Sequence, residues 1–100
     1  MAIVEVSITP LGTESPSVSQ YVADCHKVLK NYPQIHSQLT PMGTILEGEL
    51  SQILKAIEEM HEVPFQNNAK RVSTLIKIDD RRDRKGTMKG KIESVLSKMK

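Results

Sequence analysis

Two kinds of periodicity alternate along this chain, and their order restricts the fold more than any other feature. Residues 2–9 (AIVEVSIT) put Val4, Val6 and Ile8 on one face and Ile3, Glu5, Ser7 and Thr9 on the other, the period of a half-buried strand. Pro10 stops it. Ser15 then offers a hydroxyl N-cap and Pro16 a first-turn proline. Val18, Tyr21, Val22, Cys25 and Leu29 recur at helical spacing, so a helix is predicted over 16–31, ended by Pro33. The second half repeats the grammar. Residues 34–40 alternate, with Ile35 and Leu39 inward and His36, Gln38 and Thr40 outward; Pro41-Met42-Gly43 is a tight connection and residues 44–47 return as a hairpin. Leu50, Ile53, Leu54, Ile57 and His61 mark a helix over 49–62, with Pro64 and Asn67-Asn68 breaking the chain after it. Residues 71–79 (RVSTLIKID) form a last strand with Val72, Thr74, Ile76 and Ile78 inward. Met88, Ile92, Val95, Leu96 and Met99 outline a terminal helix.

The order β-α-β-β-α-β predicts an α+β fold, the ferredoxin-like sandwich: a four-stranded antiparallel sheet with two helices on one face, extended here by a C-terminal helix. Residues 1–100 are expected to form a single domain. Because the helices cover one face, the other meets solvent or a partner. Its predicted residues are Ile3, Glu5, Ser7, His36, Gln38, Thr40, Ile45, Glu47, Ser73, Leu75 and Lys77. Ile3, Ile45 and Leu75 are too apolar for a solvated sheet, whereas the remainder are polar. A mixed surface of this kind suits a subunit interface enclosing a polar pocket. With only three aromatics (Tyr21, Tyr32, Phe65) and no Trp, the core must be aliphatic, which is a further reason to expect neighbouring subunits to add burial.

A net charge of +2, with no basic face interleaved with aromatics, argues against nucleic acid as a partner. No apolar stretch approaches membrane-spanning length, so no membrane partner is expected. Glu5 interrupts the first apolar run and no charged segment precedes it, unlike a signal peptide. The single cysteine, Cys25, excludes an internal disulfide. The expected location is cytoplasmic.

Several short runs resemble one family. Pro10-Leu11-Gly12-Thr13 followed by Ser17-Val18-Ser19, Pro41-Met42-Gly43-Thr44 with Glu47-Gly48-Glu49, and Arg71-Val72-Ser73-Thr74 through Ile78-Asp79-Asp80-Arg81-Arg82 are similar to the signatures of the small thiamine-binding protein family in the YkoF-like superfamily. The likeness covers essentially the whole chain. It implies a ferredoxin-like fold that pairs sheet against sheet into homo-oligomers, often tetramers, and a pocket on the open sheet face for thiamine or its hydroxymethylpyrimidine half. The implied role is carriage or buffering without turnover, the vitamin being a ligand with no further cofactor.

Within this framework Glu47 is the leading ligand-binding candidate. It faces outward in a central part of the sheet, where a carboxylate can accept a hydrogen bond from an aminopyrimidine and favour a cationic ring; the plainer alternative is an ion pair with Lys77 or Arg71. Thr44 belongs to the same signature, yet alternation places it on the opposite face. Ser17 and Ser19 sit where a helix start leaves free backbone donors for a polar ligand group, or else cap the helix themselves. His36 and Ser7 complete the set as open-face residues.

Catalysis has no constellation to point at, neither a nucleophile elbow nor a histidine–carboxylate relay. Cys25 lies on an apolar stripe and reads as a small core residue, while His26, His36 and His61 lack the spacing of metal ligands. The run 79–85 is charge-balanced and reads as a solvated loop. A regulatory domain sensing small molecules and a cofactorless enzyme using the sheet face remain alternatives, because fold does not fix function.

Overall fold

The computed structural model describes residues 1–12, 19–83 and 87–99. The chain runs β1 (Ala2–Pro10), α1 (Ser19–Lys27) continued by a 3-10 turn (Val28–Asn31), β2 (His36–Thr40), β3 (Gly43–Gly48), α2 (Leu50–Gln66), β4 (Val72–Asp80) and α3 (Met88–Lys98). The strands form one antiparallel sheet in the order β2-β3-β1-β4, so the ferredoxin-like expectation holds. The predicted cap at Ser15 and Pro16 lies outside the described residues.

Register follows from alternation. Val4 pairs with Leu46 and Ile78, and Val6 with Thr44 and Ile76, so these side chains share the face that carries α1 and α2. Val4, Val6, Leu46, Ile53 and Ala56 are fully buried there, with Cys25, Leu29, Ile57 and Met60 packed around them. Burial of each large aliphatic side chain contributes roughly 1.5–3 kcal/mol. Tyr32 Oη donates to Glu59 Oε1 at 2.8 Å and ties the 3-10 turn to α2; that hydrogen bond to a carboxylate holds the phenol above its usual pKa.

Two expectations change. Ile76 and Ile78 lie on the helix-bearing face but stay exposed, as does Leu39. They belong to the two edge strands, and periodicity assigns a face without saying whether a neighbour covers it. Pro64 does not end α2, which continues to Gln66. A proline at this position has no N–H to give the carbonyl four residues earlier, that of Met60. The Cys25 thiol donates to that same oxygen, Sγ to O 3.3 Å. The gap in the α2 ladder is thus filled from α1, and the proline ring packs fully buried.

At Gly43 the strands approach too closely for a side chain. A Cβ there would stand 2.8 Å from the Val6 carbonyl oxygen. No helix among the described residues is long and apolar enough to cross a membrane.

Candidate ligand-binding site

The face of the sheet opposite α1 and α2 is organised in rows. His36, Glu47, Ile3 and Asp79 are cross-strand neighbours in one row; Gln38, Ile45, Glu5 and Lys77 form the next. Glu47 is the anomaly, a carboxylate 8% exposed at the centre of the sheet. No lysine or arginine pairs with it among the described residues, so the expected alternative, an ion pair with Lys77 or Arg71, does not form within the chain. Its Oε2 instead accepts from the Met88 N–H at 3.0 Å, the first amide of α3.

The local sequence of α3 explains that contact. Its first turn contains no acid and carries Lys89 and Lys91, the wrong charge for the positive end of a helix dipole. Thr87 caps the helix through its hydroxyl, which accepts from the Gly90 N–H at 2.9 Å. Glu47 supplies the anion that the helix lacks. Further along the same row, the Lys91 ammonium hydrogen-bonds Asp79. Between α3 and the sheet lies a cleft of about 450 Å³ lined by Gln38, Glu47, Met88, Lys89, Ile92 and Glu93. Glu93 is paired there with Lys89 at 3.9 Å, which leaves the Glu47 carboxylate and the Gln38 amide, between apolar walls, as the groups that can meet a cation bearing hydrogen-bond donors.

The other candidates fall elsewhere. Ser7 and Thr44 line a pocket of about 280 Å³ at one end of the sheet, with Val22, Cys25, Met60 and the β2–β3 turn. Thr44 is buried on the helix-bearing face, as alternation requires. Ser19 lines the adjoining groove between α1 and β2, which shares Val22, Leu39 and Thr40 with that pocket. His36 lies exposed beside Glu47 in the same row but outside the cleft. Ser17 lies outside the described residues.

Cys25 is no nucleophile. Burial first, and the charge of Asp24 second, push its thiol from 9.0 to about 11, so it stays protonated as a donor. No group of three His, Cys, Asp or Glu that could hold a metal ion occurs among the described residues. Arg81 and Arg82 are held by Asp83 and Asp80, which raises both guanidinium pKa values. What the sequence did not reveal was the wall formed by Met88, Lys89, Ile92 and Glu93. Its only signal was the apolar stripe of α3, which says nothing about where that helix lies.

A family model described as thiamine-binding protein matches residues 4–96 of the chain. UPF0045 protein YqgV of Bacillus subtilis is 56% identical over 98 residues, covering 95% of this chain and 94% of the relative. Hypothetical protein MJ1052 of Methanocaldococcus jannaschii superposes with a TM-score of 0.85 at 40% identity, covering 95% of each chain. A Thermotoga maritima protein provisionally assigned to thiamine biosynthesis or salvage has the same fold, with a TM-score of 0.77 at 18% identity, covering 94% of this chain and 97% of that one.

Proposed function

Because the chain belongs to the thiamine-binding protein family, we propose that it binds thiamine or the hydroxymethylpyrimidine half of it, in the open-face cleft at Glu47, without turnover. The observation that carries this reading is the state of Glu47: a buried carboxylate with one oxygen engaged by α3 and the other without a partner among the described residues, at the edge of a cleft with apolar walls. Thiamine offers an aminopyrimidine that donates hydrogen bonds and a cationic thiazolium ring, and a carboxylate attracts both. The fold relative provisionally assigned to thiamine biosynthesis or salvage supports the same ligand class. The role would be carriage or buffering of the ligand, with no further cofactor.

The working form would be a homo-oligomer of sheet-paired subunits, with a tetramer as the expected assembly. Leu75 is 72% exposed on the open face, and Ile92, Val95, Leu96 and Met99 of α3 are each more than half exposed. This much apolar surface supports coverage by further copies.

Calorimetry tests the ligand assignment. A hydrogen bond to a charged group is worth about 1.5–3 kcal/mol, so Glu47→Gln should weaken thiamine binding roughly ten- to a hundredfold. Glu62→Gln, an exposed carboxylate on α2, should change it by less than about threefold. A second reading uses the pocket of about 280 Å³ that Ser7 and the buried Thr44 line together. Thr44→Val would then be the damaging change and Glu47→Gln the silent one.

A further inference from the structure

We propose that α3 is a ligand-coupled latch: occupation of the cleft at Glu47 and seating of α3 across the open face are one linked equilibrium. The inference rests on the ligand reading above and adds a moving part to it.

The attachments of α3 to the sheet are few and polar. Met88 N–H reaches Glu47 and the Lys91 ammonium reaches Asp79, two anchors on a single row of the open face. The apolar stripe contributes little, since Ile92, Val95, Leu96 and Met99 remain more than half exposed. Within its own subunit, a helix held this way belongs to the low-stability end, where opening is cheap. Glu47 in turn depends on α3. No ion pair forms with Glu47 among the described residues, so its buried carboxylate has the Met88 amide as its donor, and loss of that amide while α3 stays seated leaves a buried charge poorly satisfied. Ligand and helix therefore meet at one group. The two carboxylate oxygens can serve both at once, and Met88, Lys89, Ile92 and Glu93 of α3 form the wall against which the ligand would rest. Each then stabilises the other, and linkage requires the coupling to be reciprocal.

Proline offers a clean incision. Met88 is the first residue of α3, where proline is tolerated because that amide has no intrahelical partner. Thr87, with φ −130° and ψ 158°, already has the backbone that a residue before proline adopts. Met88→Pro removes the N–H that Glu47 accepts and keeps the helix; Met88→Ala removes the side chain and keeps the N–H. Hydrogen exchange read by mass spectrometry over residues 87–99, with and without thiamine, gives the answer. Without ligand, exchange in Met88→Pro should be about tenfold faster than in Met88→Ala, the lower end of a charged hydrogen bond. Saturating thiamine should slow exchange over 87–99 several-fold in the unmutated protein and much less in Met88→Pro, which should also bind thiamine more weakly. Equal exchange in the two unliganded variants would overturn the latch. So would thiamine binding that leaves α3 exchange unchanged, in which case the ligand reading stands and only the coupling falls. Absence of thiamine binding at millimolar concentration would remove the ligand reading and the coupling together.

Discussion

The thiol of Cys25 gives the sharpest quantitative test of how this fold is held. Cys25→Ala does two things. It removes a small buried side chain, worth about 1 kcal/mol of transfer, and it strands the Met60 carbonyl that Pro64 cannot satisfy. An unsatisfied buried acceptor costs about 1–3 kcal/mol, so the total loss should be about 2–4 kcal/mol. The second part disappears if residue 64 regains an N–H. In a Pro64→Ala background, Cys25→Ala should therefore cost only about 1 kcal/mol, whatever Pro64→Ala does by itself. The double-mutant cycle isolates the coupling. The assay is urea unfolding followed by far-ultraviolet circular dichroism at fixed protein concentration, since association shifts apparent stability. Costs that agree within about 0.5 kcal/mol in the two backgrounds would refute the thiol–carbonyl link and leave Cys25 as packing alone.

The same thiol predicts a pH dependence. Its pKa is raised in the fold, from 9.0 to about 11, so the protonated form is the one the fold favours. The resulting stability is complete below about pH 9 and is lost as pH rises through 9 to 11, by up to roughly 2–3 kcal/mol. Cys25→Ser keeps a donor and does not ionise in this range. The stability of the unmutated protein relative to Cys25→Ser should consequently fall between pH 8 and pH 10.5; a constant difference would contradict the burial of the thiol.

Other outcomes follow from the sheet. Gly43→Ala should destabilise by about 1–3 kcal/mol in urea unfolding, because the new Cβ would press on the Val6 carbonyl; a neutral result would mean the strands separate freely there. Leu75→Asp should lower the oligomer mass seen by light scattering at micromolar concentration by placing a charge in the proposed sheet-to-sheet interface. A monomeric unmutated protein under the same conditions would remove that interface altogether.

The covered half of the molecule was largely legible in the sequence. Alternation in β1 identified Val4 and Val6 as core, and the helical stripes identified Cys25, Leu29, Ile53 and Ile57, because faces of regular elements are local properties. Coverage is not local. Leu39, Ile76 and Ile78 alternate correctly and still meet solvent, since each lies on an edge strand. Pro64 was read as a stop for the same reason: the group that compensates it lies 35 residues before Met60 in sequence. Glu47 shows the limit most clearly. Its face and its central place in the sheet could be read from alternation, but its burial could not, and its partner, the first amide of α3, is 41 residues away. No periodicity relates the two.

Glu47 and Cys25 solve one problem in opposite halves of the sandwich. A helix leaves donors free at its start, and a proline leaves a carbonyl free in its interior. In each case a side chain from another element fills the vacancy, the carboxylate for α3 and the thiol for α2. The two solutions differ in what surrounds them. Cys25 is enclosed by apolar neighbours on α1, α2 and the sheet, so its bond lies within a packed core whose opening requires global unfolding. The bond to Glu47 borders a cleft and a helix with an exposed apolar stripe, so it can break while the core stays intact. Any opening of α3 would thereby be confined to the face opposite α1 and α2, next to the carboxylate on which the proposed ligand recognition depends. The sandwich beneath can hold that carboxylate in place whether α3 is seated or not, because the β1–β3 register that positions Glu47 opposite Ile3 involves no residue of α3.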